Sequence, residues 1–386
     1  MRIKFQLLLF LLLSLNWTSC QEGFSNIERL EFSIDDLEAF AAIDSVHHNI
    51  DIQLYEDHVY VVGHSYRGKT EVVSNIHCID LKSKKLKWST KLDSEQTHQD
   101  YKIAFIGGRL YLTGVSGWQN MADIQDYQLY PSIIEMDLEG NILRTKKVNR
   151  MDAKGNTTKL VEWNDDLYFA YSTHNPNADG YKFGTNLIKL SKDLAIKDII
   201  TAGQVYFNSF HFFLLQDHLY LTGMGGYEKI TLIRVDKNMH ATKLTNNMLP
   251  REFPRINKFI CLKNENELNY VAVGTPNIGS RKRYIARFNF DGDELEFVDK
   301  IDFPDSTYVE NYPMLEKQDF YGLTYDRKSK VLFKLNGRRI KKYVSMKNIP
   351  KFFQVISLED SARSIYIVRK NRRLSFCQLK KNSDEK

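Results

Sequence analysis

One pattern returns seven times along the chain and restricts its fold more than any other feature. An apolar run, a short polar turn and a second β-rich run centred on tyrosine recur around Tyr60, Tyr111, Tyr168, Tyr220, Tyr270, Tyr321 and Tyr366. LYEDHVYVVG, FIGGRLYLTG and LLQDHLYLTG are three of these segments. Successive tyrosines are 51, 57, 52, 50, 51 and 45 residues apart. A period near fifty marks a repeat architecture, in which each unit buries its faces only against its neighbours.

Each unit has a second half, in which a polar turn breaks another β-rich stretch, as in IHCIDLKSKKLKWSTKL, IIEMDLEGNILRTKKV and IARFNFDGDELEFVDKI. Gly140, Asn141, Gly292 and Gly337 lie between two such runs, where hairpins need them. Four strands per unit follow, A to D, with short A–B and C–D turns. Ile50, Ile52 and Leu54 alternate with polar neighbours, whereas residues 59–62 form an unbroken apolar run. A strand apolar on both sides needs cover on both faces, and radial stacking of four-stranded sheets provides it. The reading is all-β: a single β-propeller of seven four-stranded blades, with six or eight as alternatives.

The last repeat has no fourth strand after residues 374–379, only a polar tail. Residues 27–33 (IERLEFS) at the N-terminus are expected to complete that blade, which removes an exposed edge. Residues 28–380 then average about 50 per blade. Asp35 and Glu38 have capping-box-like spacing, so residues 35–42 read as a short helical turn.

The chain opens with MRIKFQLLLFLLLSLNWTSC: basic Arg2 and Lys4, an apolar stretch over 5–15, then Thr18 and Ser19 before Cys20. That is the layout of a secretory signal, with an apolar run too short to span a bilayer comfortably. The expected organisation is a signal peptide over 1–19, a tether over 20–26, the propeller over 27–380 and a polar tail over 381–386. Cys78, Cys261 and Cys377 remain after Cys20 and allow at most one internal disulfide. Cys78 and Cys377 lie in strand-like runs and read as buried free thiols. The balance of 54 Lys+Arg against 48 Asp+Glu gives +6, far from the excess of a dedicated nucleic-acid binder. Composition also excludes collagen, a disulfide knot and a multi-span membrane protein.

The Cys20 context resembles the lipobox of bacterial lipoproteins, which implies diacylglycerol on the Cys20 sulfur. Ordinary cleavage beside an incidental cysteine is the alternative. Gln21 resembles the outer-membrane sorting pattern, implying export across the inner membrane and an outer-membrane location. In the first repeat, CIDLKSKKLKW places Asp80 eight residues before Trp88. This resembles the quinoprotein-like repeat, Ala-x-Asp-x-x-Thr-Gly-Lys-x-x-Trp, whose Trp docks against the next blade; Ser83 and Lys84 stand at its Thr and Gly. Gly107-Gly108 is similar to the double glycine of kelch repeats. Over almost the whole mature chain the sequence resembles the propeller lipoproteins of Gram-negative envelopes, including the quinoprotein-like and kelch-like families. The resemblance implies the architecture and assigns no cofactor.

Blades one to three have the longest B–C connections, expected as loops over 63–73, 115–131 and 172–185. Their candidate ligand-binding residues are Tyr66, Arg67, Trp118, Asn120, Tyr127, His174 and Tyr181. Long loops with aromatics on a rigid scaffold are where binding concentrates; mere cover for the blade tops is the alternative. The segment Asn175-Pro-Asn-Ala-Asp179-Gly180 has oxygen spacing like a calcium loop. It lacks a leading Asp and has Asn186 at position twelve, so it reads as a plain turn and not a metal site. No nucleophile elbow, HExxH, phosphate loop or dinucleotide fingerprint is present, and no catalytic residue is assigned. Asp57-His58 and Asp217-His218 occupy equivalent A–B turns and read as repeat chemistry.

The expected function is non-catalytic: a membrane-tethered monomer that binds an envelope protein or glycan, and no nucleic acid, through its B–C/D–A face. A carbohydrate-active or quinone-dependent envelope enzyme is the alternative. Charge is uneven, with fifteen Lys+Arg against Glu359 and Asp360 over 327–373, and ten acids against Arg29 over 20–57. A basic sector could face phosphate, lipid headgroups or acidic glycan. Mutual compensation on ring closure is the expectation.

Overall fold

Every tyrosine-centred run becomes the second strand of an antiparallel sheet. A computed structural model describes strand and turn residues between 28 and 379, with side-chain surroundings chiefly over 37–244 and 365–378. Two strands come first, β1 (Glu28–Ser33) and β2 (Leu37–Ile43). Sheet one is β3 (His48–Tyr55), β4 (His58–Arg67), β5 (Glu71–Asp80) and β6 (Lys85–Leu92). Sheet two is β7 (Thr97–Ile106), β8 (Arg109–Gln119), β9 (Tyr127–Met136) and β10 (Ile142–Lys147). In sheet three the first strand is broken into β11 (Ala153–Thr157) and β12 (Val161–Trp163), followed by β13 (Asp166–Asn175), β14 (Lys182–Leu190) and β15 (Ile196–Gly203).

Sheet four is β16 (Tyr206–Leu215), β17 (His218–Met224), β18 (Ile230–Val235) and β19 (Ala241–Leu244). Sheet five is β20 (Arg255–Lys263), β21 (Leu268–Thr275), β22 (Arg283–Phe290) and β23 (Leu295–Phe303). Sheet six is β24 (Tyr308–Glu310), β25 (Phe320–Tyr325), β26 (Ser329–Asn336) and β27 (Arg339–Lys347). Sheet seven has β28 (Phe352–Ser357), β29 (Ile365–Lys370) and β30 (Arg373–Leu379) from the C-terminal end of the chain.

The fourth strand of sheet seven is β2, antiparallel to β30 from Leu37↔Leu379 to Ile43↔Leu374. An N-terminal strand does complete the last sheet, but it is 37–43 rather than the expected 27–33. Of the helical turn expected over 35–42, Asp35 is in a 3-10 turn, but 37–42 is strand instead. Connection length explains the choice: residues 44–47 link β2 to β3, as 93–96 link β6 to β7, and 27–33 lie too far upstream for so short a link. Ile43 then joins Ile52, Val59, Ile365, Leu374 and Phe376 in one core, and that packing overrides a local capping pattern. Residues 28–33 lie parallel to β27 instead, from Glu28↔Lys342 to Ser33↔Lys347, as a fifth strand on sheet six.

Apolar layers fill the gaps between sheets. One joins sheets seven and one, another sheets one and two through Tyr60, Val62, Ile103 and Leu112. The next joins sheets two and three through Val115, Phe169 and Ile188, and a further one sheets three and four through Tyr168, Leu187 and Leu221. Tyr60, Tyr111, Tyr168, Tyr220 and Tyr366 are all buried in these layers or beside them. The outer strands blunt their free edges with charge, as Lys85, Lys87 and Lys91 do on β6; lysines on an edge discourage strand addition.

The turns repeat as closely as the strands. Glu56, Gly107, Gly108, Asn164, Asp165 and Asp217 sit at positive φ in the A–B turns, the conformation of primed two-residue hairpins. In the C–D turns Gly140, Leu194 and Met239 donate their amides to the carbonyls of Asp137, Ser191 and Asp236. These three residues also share positive φ, at 93°, 66° and 65°. Leu194 and Met239 are buried in the gap toward the preceding sheet. At Gly140 that space is taken by Trp88 of sheet one, whose Nε1 donates to Leu138 O at 2.9 Å. Trp88 therefore docks against the next sheet, as the quinoprotein-like resemblance implies.

Candidate functional site

The B–C connections of sheets one to three are largely strand rather than loop. The β4–β5 ladder runs out to Arg67↔Glu71, the β8–β9 ladder to Gln119↔Tyr127 and the β13–β14 ladder to Asn175↔Lys182. The loops expected over 63–73, 115–131 and 172–185 thus shrink to 68–70, 120–126 and 176–181. Their polar composition hides strands because these ladders run on beyond the apolar core that gives the lower halves their pattern.

The extended ladders place most of the candidate residues. Tyr66 and Arg67 end β4 opposite Val72 and Glu71. Trp118 is opposite Gln128, and Tyr127 opposite Gln119. His174 is opposite Phe183. All five lie at the same end of three consecutive sheets that share cores. Asn120 and Tyr181 lie outside the described residues, as do Cys20 and the calcium-like segment beyond Asn175.

Beneath these tips the sheet gaps change from apolar to polar, a layer that sequence reading missed. His64 and Ser74 on sheet one, with Ser116 and Ser132 on sheet two, are all buried. His64 pairs with Ser74, and Tyr66 stands two positions beyond His64. Ser116 is two positions before Trp118 on β8. The hydroxyls of Ser116 and Ser132 are buried with no hydrogen-bond partner. In sheet three Asn186 Nδ2 donates to Tyr171 OH at 2.9 Å, and Thr201 Oγ1 donates to Asn186 Oδ1 at 3.0 Å. Thr185, opposite Ser172, has a third buried hydroxyl without a hydrogen-bond partner. Buried donors and acceptors normally find partners, and this hydroxyl-rich group marks the hairpin end of the three sheets. A cluster of Ser and Thr where the continuous apolar stretch of the Tyr-centred runs ends is the sequence signal for it.

Charged groups serve other purposes. Arg144 pairs with the buried Glu135 of its own sheet and donates to Lys192 O of sheet three at 3.0 Å, tying two sheets together. Burial works against the Asp166 carboxylate, but Lys197 and Lys189 hold it below the ordinary range. The His58–Tyr60 and His218–Tyr220 rings lie 6.2 and 6.4 Å apart at similar tilts, so the two Asp-His turns are one structural device used twice. Cys78 and Cys377 are free and buried, and burial pushes both thiols up to about 11. Among the described residues no group of three His, Cys, Asp or Glu could hold a metal ion.

His77 is the one described histidine with a resolved shift, lowered by burial to about 4. The unfolded chain takes up a proton near pH 6.5 that the folded chain refuses until about pH 4. Stability from this site is therefore full above pH 6.5 and falls as pH drops toward 4, by about 2 kcal/mol at pH 5. A His77→Gln variant should flatten the fall in Tm between pH 7 and pH 5; an unchanged slope would place the sensitivity elsewhere.

No protein-family model matches the chain, and no curated relative matches it. Among solved structures it is similar to the WD40 domain of Neurospora crassa Pan2, with a TM-score of 0.52, 8% identity, and coverage of 92% of this chain and 98% of that one. It is similar at a TM-score of 0.41 and 8% identity to the Bombyx mori GH32 β-fructofuranosidase BmSUC1, covering 92% of each chain. A Trypanosoma rangeli sialidase in complex with sialic acid follows at 0.45 and 10% identity, covering 87% of this chain and 54% of that one. At such identities shape alone is shared. Consecutive four-stranded antiparallel sheets, packed face to face and overlapping a WD40 domain along nearly its whole length, make the fold a β-propeller.

Proposed function

We propose that the chain is a membrane-tethered, extracytoplasmic propeller of seven blades, closed by β2, which binds an envelope protein or glycan through its B–C hairpin face without catalysing a reaction. The observation that carries the reading is the set of three extended ladders, which bring Tyr66, Arg67, Trp118, Tyr127 and His174 to one end of adjacent sheets. Sites built on paired strands hold their geometry better than sites on free loops. The secretory signal and Cys20 support export and lipid attachment at the outer membrane. Trp88 is accounted for by its contact with the Gly140 turn, so the quinoprotein-like motif supports architecture rather than a quinone.

Crosslinking in native envelopes tests the binding face. The parent chain should give a discrete adduct that the Trp118→Ala/Tyr127→Ala variant loses, while a single cooperative melting transition shows that the variant is folded. Retention of the adduct would remove this face from consideration. Incorporation of labelled palmitate, lost in Cys20→Ala, tests the anchor separately.

A further inference from the structure

Sheet six has four strands without β1, and β1 is the one described strand that joins its neighbour in parallel. Its pairing does not complete the sheet. What it does is fix where the N-terminal end of the chain reaches the ring: Glu28 lies opposite Lys342, at the outer edge of sheet six. Cys20 is eight residues before Glu28, at most about 28 Å of extended chain.

The edge that receives β1 carries a concentrated charge. β26 contributes Lys330 and Lys334, and β27 contributes Arg339, Lys341, Lys342 and Lys347, with no acid on either strand. β1 adds Glu28, Glu31 and Arg29. Three neighbouring strands thus hold seven bases and two acids. The expected compensation is partial: Asp44 beside β2 pairs with Arg373 of sheet seven at 3.3 Å, whereas on sheet six an acidic strand with two carboxylates lies along strands that carry six bases. Glu38 continues away on β2, opposite Gln378 of sheet seven.

We infer that the outer part of sheet six is a docking surface for the anionic lipid headgroups of the membrane that holds Cys20. Its location beside the bilayer rests on lipidation of Cys20; its chemistry does not. A basic surface adds an electrostatic term to whatever the diacylglycerol contributes, and each Lys or Arg held at an anionic surface is worth about fivefold in partitioning. Because β1 is hydrogen-bonded to β27, the chain that leads from Cys20 runs directly onto the basic strands, and the anchor delivers this edge to the headgroups first.

The test uses mature chain with Cys20→Ala, so that no lipid anchor contributes, and vesicles of phosphatidylcholine with or without phosphatidylglycerol. Co-sedimentation should require phosphatidylglycerol and disappear at about 500 mM salt, where screening falls to about 4 Å. Lys341→Gln/Lys347→Gln should lower partitioning by about 25-fold. Lys85→Gln/Lys87→Gln, an equal loss of charge on β6, should leave it within about twofold; melting curves confirm that both variants are folded. Equal binding to neutral vesicles, or an equal loss in the β6 variant, would overturn the assignment. Binding to immobilised heparin without binding to vesicles would also overturn it and give the patch to an acidic glycan. Failure of palmitate labelling with vesicle binding retained would strike the anchor and leave the lipid surface standing.

Discussion

A chain shortened to begin at residue 34 should fold and melt cooperatively, whereas one shortened to begin at residue 44 should not. The first loses β1 only. β1 adds a parallel strand to a sheet that already has four, and its removal exposes the edge of β27 while leaving those four paired. The expected change in Tm is a few degrees at most, about that of losing one edge strand. The second truncation also removes β2. Ile43, 3% exposed, then leaves the core shared by sheets seven and one, which costs about 3 kcal/mol for the side chain alone. The β30 edge loses its partner from Leu374 to Leu379, and sheet seven no longer joins the C-terminal strands to the N-terminal end of the chain. Loss of the cooperative transition, or recovery only from inclusion bodies, is the expected result. Near-UV circular dichroism and calorimetry on both chains decide it, and the reverse ranking would show that the fold depends on β1 rather than on β2.

This contrast also marks what the sequence could and could not reveal. Seven tyrosines at intervals near fifty give the sheets, because each stands second or third in the second strand of its unit and the five whose surroundings are described are all buried. The need for an N-terminal strand in the last sheet follows equally from a missing fourth strand. The identity of that strand does not, because IERLEFS and LEAFAAI are both β-compatible and only the length of the link to β3 separates them. The hairpin ends escaped for a different reason. Above Val62 and Leu112 the inward positions become His64, Gly114 and Ser116, and a polar strand with polar neighbours has no alternation to read. Tyr66, Trp118 and Tyr127 were legible as aromatics in long connections; that paired strands carry them was not.

The other large effect is expected at Gly140. A Gly140→Ala substitution should lower stability by about 3 kcal/mol, from two sources that add. The residue sits at φ 93°, where an L side chain is strained, and an added Cβ would lie 2.6 Å from Cδ2 of the Trp88 ring. That contact is with the body of an indole held by its own hydrogen bond to Leu138 O and flanked by Thr90, whose hydroxyl donates to Gly140 O at 2.7 Å. For a chain of about 350 folded residues the loss corresponds to about 4 °C in Tm. The equivalent turns show that positive φ alone does not demand glycine: Leu194 and Met239 stand at the same turn position with positive φ and bury their side chains, whereas at Gly140 the indole of Trp88 fills the space a side chain would need. In the Trp88→Ala background the Gly140→Ala change should therefore cost less, with a coupling of about 1–2 kcal/mol in the double-mutant cycle. Strict additivity would mean that backbone strain acts alone and that Trp88 is not what requires glycine in the second sheet's turn.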